Sequence, residues 1–94
     1  MDGHEARLRR LRMRSWRRGM KEMDLILGPF ADAGFDGLGP DELDLYEALL
    51  AENDQDLYRW ITARLGGDRP GPAALGVLLD RIATFAAARL MPKS

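Results

Sequence analysis

The sequence predicts an all-α protein, a small antiparallel bundle of about five short helices. Apolar residues recur at helical spacing along most of the chain, and no segment alternates apolar and polar residues as a half-buried strand does. Valine and threonine, which favour strands, are scarce, with one valine and two threonines. Glycines and prolines divide the chain into about five segments. Because each apolar stripe is too narrow to be buried alone, the helices must pack on one another.

The first helix is expected from about His4 to Arg18, where Gly19 can end it. On a helical wheel, five of its arginines fall within an arc of about 100°. These are Arg7, Arg10, Arg14, Arg17 and Arg18. Apolar residues border this arc on both sides. One edge consists of Leu8 and Leu11, and the other consists of Ala6, Met13, Trp16 and Met20. Two apolar edges indicate a helix that lies between two neighbours.

The second helix is expected from about Met20 to Ala33. Its apolar stripe has helical spacing and consists of Met23, Ile26, Leu27 and Phe30. Pro29 lies inside this stripe, and a proline removes one backbone hydrogen bond and crowds the preceding turn. We therefore expect the helix to kink or end near Gly28, and residues 33–39 to form a loop.

The third helix is expected to begin at Pro40, a position that suits proline at a helix start. Asp41 and Glu42 follow in the first turn, where carboxylates favour the positive end of the helix. This helix is expected to run to about Glu52 with one apolar face, formed by Leu43, Tyr46, Leu49 and Leu50. Asp54 is expected to cap the fourth helix.

The fourth helix has an apolar stripe and ends at a pair of glycines. The stripe consists of Leu57, Trp60, Ile61 and Leu65. Gly66 and Gly67 offer the left-handed backbone that ends helices, and residues 66–72 are expected to be a linker. A last helix is expected from about Ala73 to Leu90. Its apolar face carries Leu75, Leu78, Leu79, Ile82, Phe85 and Ala86.

The composition excludes several classes of protein. A chain of 94 residues with 46% hydrophobic and 31% charged residues is typical of one globular domain, expected over residues 1–94. No apolar run approaches the roughly 20 residues that span a bilayer. The absence of cysteine excludes disulfides, thiolate nucleophiles and cysteine-based zinc sites. With a single histidine, His4, near one end, we predict no catalytic residue, no metal site and no tightly bound cofactor.

The net charge of −1 conceals a strong segregation of charge along the chain. Residues 1–21 hold eight basic and two acidic residues, whereas residues 22–56 hold eleven acidic residues and no basic one. Such segregation indicates either pairing of the two blocks inside the fold or a charged face directed at a partner. The partner would be a protein or, less favoured at a pI near 5.8, a nucleic acid.

Three ordered segments resemble one known family. The first is RSWRRGMKEMDLILGPFA over residues 14–31, which contains an R-G-x-x-E motif at Arg18, Gly19 and Glu22. The second is DELDLYEALL over residues 41–50, and the third is NDQDLYRWIT over residues 53–62. Together they resemble the SdhE family, the bacterial relatives of mitochondrial succinate dehydrogenase assembly factor 2. The resemblance covers about residues 7–65 and departs from the family at Pro29 and in the tail from Gly66.

The resemblance implies a helical FAD assembly factor that is not itself an enzyme. Its partners would be the flavoprotein subunit of succinate dehydrogenase and also that of fumarate reductase. The assembly factor would promote covalent attachment of FAD to these subunits. FAD would then be the cofactor of the client. The partner-binding residues implied are those of the motif, Arg18, Gly19 and Glu22, together with Arg14, Met20 and Asp24 in the same run.

Two other functions are weighed against this one. A basic first helix would also suit an antitoxin-like or nucleic-acid-binding regulator, with the stripe from Arg7 to Arg18 on phosphates. An autonomous enzyme is disfavoured because nucleophiles and proton shuttles are missing. A mitochondrial presequence is disfavoured because the motif begins inside the basic segment, which Asp2 and Glu5 interrupt. We therefore expect a protein of the bacterial cytoplasm without a membrane segment.

Overall fold

A computed structural model describes residues 3–90 and contains five α-helices with two short 3-10 turns. The helices are α1 (Gly3–Trp16), α2 (Lys21–Gly34), α3 (Pro40–Leu50), α4 (Asp54–Leu65) and α5 (Gly76–Leu90). The 3-10 turns are Phe35–Gly37, which follows α2, and Ala73–Leu75, which precedes α5. Residues 3–90 contain no strand. The predicted class, a small all-helical bundle of five helices, is confirmed.

Helix α1 packs on α2 and α3, and the edge with Leu8 and Leu11 is its more deeply buried one. Leu11 and Ser15 on this edge are fully buried, and Leu8 is half-buried against the core. The second apolar edge differs from the prediction, because Met13 and Trp16 keep 47% and 41% of their surface exposed. The first helix thus buries one edge fully and the other only in part, and two of its arginines, Arg9 and Arg10, are exposed.

Helix α2 continues through Pro29, so of the two outcomes expected near Gly28, a kink or an end, the end is wrong. Leu27, Phe30 and Ala31 around the proline are all buried. Burying this stripe against the other helices stabilises the continuous helix by more than one lost hydrogen bond costs. The predicted loop over residues 33–39 is correspondingly shorter, because the 3-10 turn follows α2 directly.

Gly28 has a packing role that the sequence does not indicate. A Cβ atom at this position would lie 2.3 Å from the Trp16 ring, so only glycine allows the indole to lie across α2. The Trp16 Nε1–H also donates to both Asp32 carboxylate oxygens, at 3.4 and 3.3 Å. The partly exposed indole is therefore held on the surface of α2.

Helix α3 begins as predicted and α4 does not. Pro40 is the first residue of α3, and the Gly39 N–H donates to the Glu42 carboxylate at 3.1 Å. The residue that caps α4 is Asn53, whose side-chain oxygen accepts from the backbone N–H groups of residues 55 and 56. The prediction that Asp54 is the cap is wrong, because Asp54 is already the first helical residue. Its carboxylate instead accepts from Arg18 and Gly19, which follow the end of α1.

The connection from α4 to α5 follows the predicted breakpoints. Gly67 has a left-handed φ of +96°, as expected for the end of a helix. Leu65, predicted on the apolar face, is 46% exposed. Arg64 joins the two helices by donating from Nε to Asp80 at 2.8 Å and from Nη1 to the Pro70 carbonyl at 2.7 Å.

One hydrophobic cluster connects all five helices. The face predicted for the last helix is buried at Leu75 in the preceding 3-10 turn and at Leu78, Leu79, Ile82 and Ala86 in α5, and half-buried at Phe85. Phe30, Phe35 and Tyr46 pack ring against ring, with centroids 5.9 Å apart for Phe30–Tyr46 and 5.1 Å for Phe35–Tyr46. None of the helices within residues 3–90 is long and apolar enough to cross a membrane.

Candidate partner-binding site

The R-G-x-x-E motif falls on the connection between α1 and α2, which we call the interhelix turn (residues 17–20). Because α1 ends at Trp16 and α2 begins at Lys21, Arg18 and Glu22 do not lie on one continuous helix. Their spacing of four residues therefore does not give them a shared helical face. The geometry of the turn has to come from other contacts.

Arg18 fixes the interhelix turn to the end of α3. Its guanidinium donates from Nε to Asp54 Oδ1 at 2.6 Å, from Nη1 to the Leu50 carbonyl at 2.6 Å and from Nη2 to the Glu52 carbonyl at 2.9 Å. The last carbonyls of a helix lack helical donors and carry partial negative charge, so a cation is favoured there. The Arg18 side chain is only 10% exposed as a result.

Two carboxylates hold the backbone of the turn. The second oxygen of Asp54 accepts from the Gly19 N–H at 2.9 Å, and an Asp24 oxygen accepts from the Arg18 N–H at 2.6 Å. Charge-assisted hydrogen bonds of this kind are among the stronger ones in proteins. Arg18, Asp24 and Asp54 together therefore determine where the Gly19 backbone lies.

No contact with the residues that the structure describes requires a glycine at position 19. A Cβ atom there would meet its nearest atom, Asp54 Oδ2, at an ordinary contact distance of 3.5 Å. The only glycines with positive φ among residues 3–90 are Gly67 and Gly71, so Gly19 has a backbone conformation open to other residues. Gly19 is exposed, and the missing side chain leaves its backbone open to close approach from outside.

The other residues predicted to bind a partner differ in accessibility. Glu22 is exposed in the first turn of α2 and makes no hydrogen bond or ion pair with the residues that the structure describes. Arg14 is half-buried, and Met20 is half-buried against the core. Arg18 and Asp24 direct their observed hydrogen bonds into the chain, so contact of these two with a partner stays a prediction.

The basic and acidic blocks of the sequence meet at both ends of α1. Arg7 pairs with Asp44 at 2.6 Å and Glu47 at 3.1 Å, and Arg18 pairs with Asp54. Pairing inside the fold, one of the two expected outcomes, therefore accounts for two arginines of the basic block. Other arginines have no ion pair with residues 3–90, namely Arg9, Arg10, Arg12, Arg14 and Arg17.

Three of these arginines line a shallow groove on the outer face of α1. Its volume is about 300 Å³, and we call it the arginine groove, lined by Arg10, Met13, Arg14, Arg17 and Arg18. Because Arg18 also anchors the interhelix turn, the groove lies directly beside the turn. It is a cationic surface that includes one exposed methionine, Met13.

A buried polar pair lies beneath the interhelix turn. The Ser15 hydroxyl donates to the Leu11 carbonyl at 2.8 Å, so the Tyr46 hydroxyl, 2.6 Å from Ser15 Oγ, is the donor between the two. Burial raises the pKa of Tyr46 to about 12, against opposing effects of the Ser15 hydrogen bond and the Arg18 charge. This pair connects α1 to α3 and is neutral at physiological pH.

Sequence patterns did not identify the residues that hold the turn. Asp54 and the Leu50 and Glu52 carbonyls lie more than thirty positions from Arg18, and no local spacing relates them. A local signal was available only for Asn53, since asparagine is a strong helix cap. Among residues 3–90, no group of histidine, cysteine or acidic side chains is arranged to hold a metal ion.

Similarity to known proteins indicates the same family as the motif does. A family described as "Flavinator of succinate dehydrogenase" matches residues 9–86, which extends the likeness beyond residue 65 into α5. The chain is 38% identical over 66 residues to "FAD assembly factor SdhE" of Vibrio cholerae, a match to 70% of this chain and 73% of the relative. The protein of the same description from Pseudomonas putida is 34% identical over 67 residues, covering 70% and 80%.

Eukaryotic relatives are similar over a smaller part of their length. "Succinate dehydrogenase assembly factor 2, mitochondrial" of Meyerozyma guilliermondii is 43% identical over 58 residues, covering 62% of this chain and 43% of the relative. These relatives are named as assembly factors for another enzyme, which confirms the prediction of an assembly factor and not an enzyme. The chain belongs to the family of SdhE and succinate dehydrogenase assembly factor 2.

Proposed function

We propose that this chain binds the flavoprotein subunit of succinate dehydrogenase and promotes covalent attachment of FAD to that subunit. Support comes from the family match and from relatives named as FAD assembly factors. FAD is the cofactor of the client and is not held tightly by this chain. The flavoprotein of fumarate reductase is a second client of the same kind.

The observation that carries this proposal is the construction of the interhelix turn. Two carboxylates and the Arg18 guanidinium fix a turn in which Arg17 and Gly19 are exposed, and the exposed Lys21 and Glu22 follow it in the first turn of α2. A rigid and exposed turn can bind a protein without a large loss of conformational entropy. The internal contacts of Arg18 therefore serve binding by ordering the surface before a client arrives.

Each predicted residue has a role in this proposal. The Gly19 backbone allows the client to approach closely, and the Glu22 carboxylate accepts hydrogen bonds from it. Arg18 and Asp24 position the turn, while Arg14 and Met20 border the contact. Bound in this way, the client is held in a conformation that aligns its FAD with the acceptor side chain, and orientation alone lowers a barrier by several kcal/mol.

The remaining properties follow from the resemblance to bacterial relatives. We assign the whole chain, residues 1–94, to one helical domain that works in the bacterial cytoplasm. The described helices are all too short or too polar to span a bilayer. A client that is a protein, and not a nucleic acid, also fits the pI near 5.8.

The test is to co-express the tagged chain with the succinate dehydrogenase flavoprotein of the same organism. Co-purification measures binding, and in-gel flavin fluorescence of the flavoprotein measures covalent FAD. The variant is Gly19→Arg, and the matched control is Gly76→Arg, because neither position has a close contact that excludes a side chain and Gly76 lies away from the turn, in α5.

We expect Gly19→Arg to keep the helical circular dichroism of the wild type and to lose both co-purification and covalent flavin. Gly76→Arg should keep both. Full flavinylation with Gly19→Arg would show that the interhelix turn is not the contact. Absence of any effect of the wild-type chain on flavinylation would reject the proposed function itself.

A further inference from the structure

The arginine groove is a charged surface that the fold itself does not use. Of its four arginines, only Arg18 has an ion pair, with Asp54, while Arg10, Arg14 and Arg17 have none with residues 3–90. Arg17 is exposed and Arg14 is half-buried. Acidic residues of α3 pair with the opposite end of α1, at Arg7, and do not neutralise the groove.

This arrangement is unfavourable for the isolated helix. Arg10 and Arg14 are four positions apart, and like charges at this spacing destabilise a helix. Helix α1 also has few residues to offset the repulsion, since within it only Leu11 and Ser15 are fully buried. A ligand that brings negative charge to the groove would relieve the repulsion, so binding and helix stability favour each other.

The shape and chemistry of the groove favour a protein ligand over a nucleic acid. Met13 lies among the arginines and is 47% exposed, and surfaces that combine methionine with arginine are typical of protein interfaces. Nucleic-acid-binding domains carry a broad basic face and a high pI, whereas this chain has a pI near 5.8 and the exposed Glu22 beyond the turn. A volume of about 300 Å³ suits a few side chains.

We propose that the arginine groove binds an acidic segment of the client flavoprotein, next to the contact made by the interhelix turn. This inference rests on the proposed function and adds to it a second contact of defined chemistry. Carboxylates of the client pair with Arg10, Arg14 and Arg17, and an apolar side chain of the same segment packs on Met13. The charges mainly accelerate association, as charges at the rim of an interface do.

The test compares two triple variants that remove the same charge. In Arg10→Gln/Arg14→Gln/Arg17→Gln the groove loses its unpaired cations, and in Arg59→Gln/Arg69→Gln/Arg89→Gln three exposed arginines of other segments are lost. Association and dissociation of purified flavoprotein are measured for each variant by biolayer interferometry, at about 50 mM and about 300 mM salt. Poly-L-glutamate and a short DNA duplex serve as competitors.

We expect the groove variant to associate about tenfold more slowly than the control at low salt. The difference should shrink at high salt, because the screening length falls from over 10 Å to about 5–6 Å. Poly-L-glutamate should slow association of the wild type and not of the groove variant. The Gly19→Arg variant should behave differently from the groove variant, because it should lose binding of the flavoprotein at both salt concentrations.

Other outcomes separate the two proposals. If the wild type binds and the groove variant matches the control in rate and salt dependence, the groove does not contact the client and the turn alone does. If the DNA duplex binds the groove at physiological salt more tightly than poly-L-glutamate, the groove is a nucleic-acid site. If the wild type does not bind the flavoprotein, the proposed function and this inference are both rejected.

Discussion

The two ends of α1 make the same kind of contact with the acidic half of the chain, and they differ in burial. At the first end, Arg7 pairs with Asp44 and Glu47, whose side chains are 69% and 43% exposed. At the second end, Arg18 pairs with Asp54, and these side chains are only 10% and 19% exposed. Arg18 also donates to two carbonyls, whereas the hydrogen bonds of Arg7 go to the two carboxylates alone.

The difference shows that charge segregation alone does not locate a functional site. Exposed ion pairs contribute little to stability because water and salt screen them. A largely buried pair costs several kcal/mol when one partner is removed, since the other charge stays desolvated. The buried contacts therefore fix the backbone at the end of α1 that leads into the R-G-x-x-E motif. The predictions below test this contrast.

The largest effect is expected at Asp54. Replacing Asp54 with alanine leaves the Arg18 guanidinium without its carboxylate and the Gly19 N–H without its acceptor, so we expect a loss of about 2–4 kcal/mol in the free energy of unfolding. Urea unfolding followed by circular dichroism measures it. Client binding should fall as well, because the turn is no longer ordered.

The matched control for this prediction is Asp44→Ala at the other end of α1. Asp44 has the same charge and also pairs with an arginine, but it is 69% exposed. Its replacement should leave the unfolding free energy nearly unchanged. Equal losses for Asp44→Ala and Asp54→Ala would break the contrast between the two ends.

The second prediction concerns pH and the buried tyrosine beneath the turn. Burial raises the pKa of Tyr46 to about 12, so the unfolded state, with a pKa near 10, loses its proton first as the pH rises. The unfolded state then binds fewer protons than the folded state, and stability falls with pH. We expect a loss of about 2 kcal/mol between pH about 10 and about 12.

Urea unfolding at a series of pH values from about 9 to about 12 measures this loss in unfolding free energy. Tyr46→Phe should remove this part of the pH dependence, and Tyr58→Phe, at a half-buried position of α4, should keep it. An unchanged profile for Tyr46→Phe would mean that the motif end of α1 is hydrated and not buried, which would weaken the comparison.

The third prediction tests how the exposed edge of α1 is attached to α2. In Gly28→Ala the new Cβ atom would lie 2.3 Å from the Trp16 ring, so the indole must move. We expect a loss of about 1–2 kcal/mol in unfolding free energy and a red shift of tryptophan fluorescence. Trp60 is buried in the core and should contribute a constant background.

A double-mutant cycle isolates the contact. In a Trp16→Ala background, Gly28→Ala should be neutral or stabilising, because alanine is a better helix former than glycine by about 0.5–1 kcal/mol. The same destabilisation in both backgrounds would show that Gly28 is required for another reason.

The fold was predictable because helical periodicity and glycine and proline positions are local signals. Pro29 shows where such signals fail: its local effect predicted a kink or an end, and the helix does not end there because burial of Leu27 and Phe30 around it outweighs that effect. The exposed Leu65 shows the converse, since it continues an apolar stripe but is the last residue of α4 and is not buried.

The candidate site was predictable only in part. The resemblance indicated Arg18, Gly19 and Glu22, and the helix break expected at Gly19 is present between α1 and α2, but no pattern in the sequence indicated which residues Arg18 contacts. The contact with Asp54 bridges positions 36 residues apart, and a single sequence contains no periodic signal for such a pair. Only the folded chain shows that the motif arginine orders the turn.

The smallest effect on unfolding free energy is expected at Arg7, and it tests the contrast at the exposed end of α1. Arg7→Gln removes both ion pairs at the first end of α1, and because water and salt screen them, the unfolding free energy at physiological salt should not change measurably. A small loss should be visible only at about 10 mM salt, where the screening length is about 30 Å. Arg18→Gln, measured in parallel by urea unfolding, should be destabilising at both salt concentrations because its partners are shielded from solvent. If Arg7→Gln were as destabilising as Arg18→Gln, burial would not be what distinguishes the two ends. Contacts along the whole of α1 would then determine the geometry of the interhelix turn.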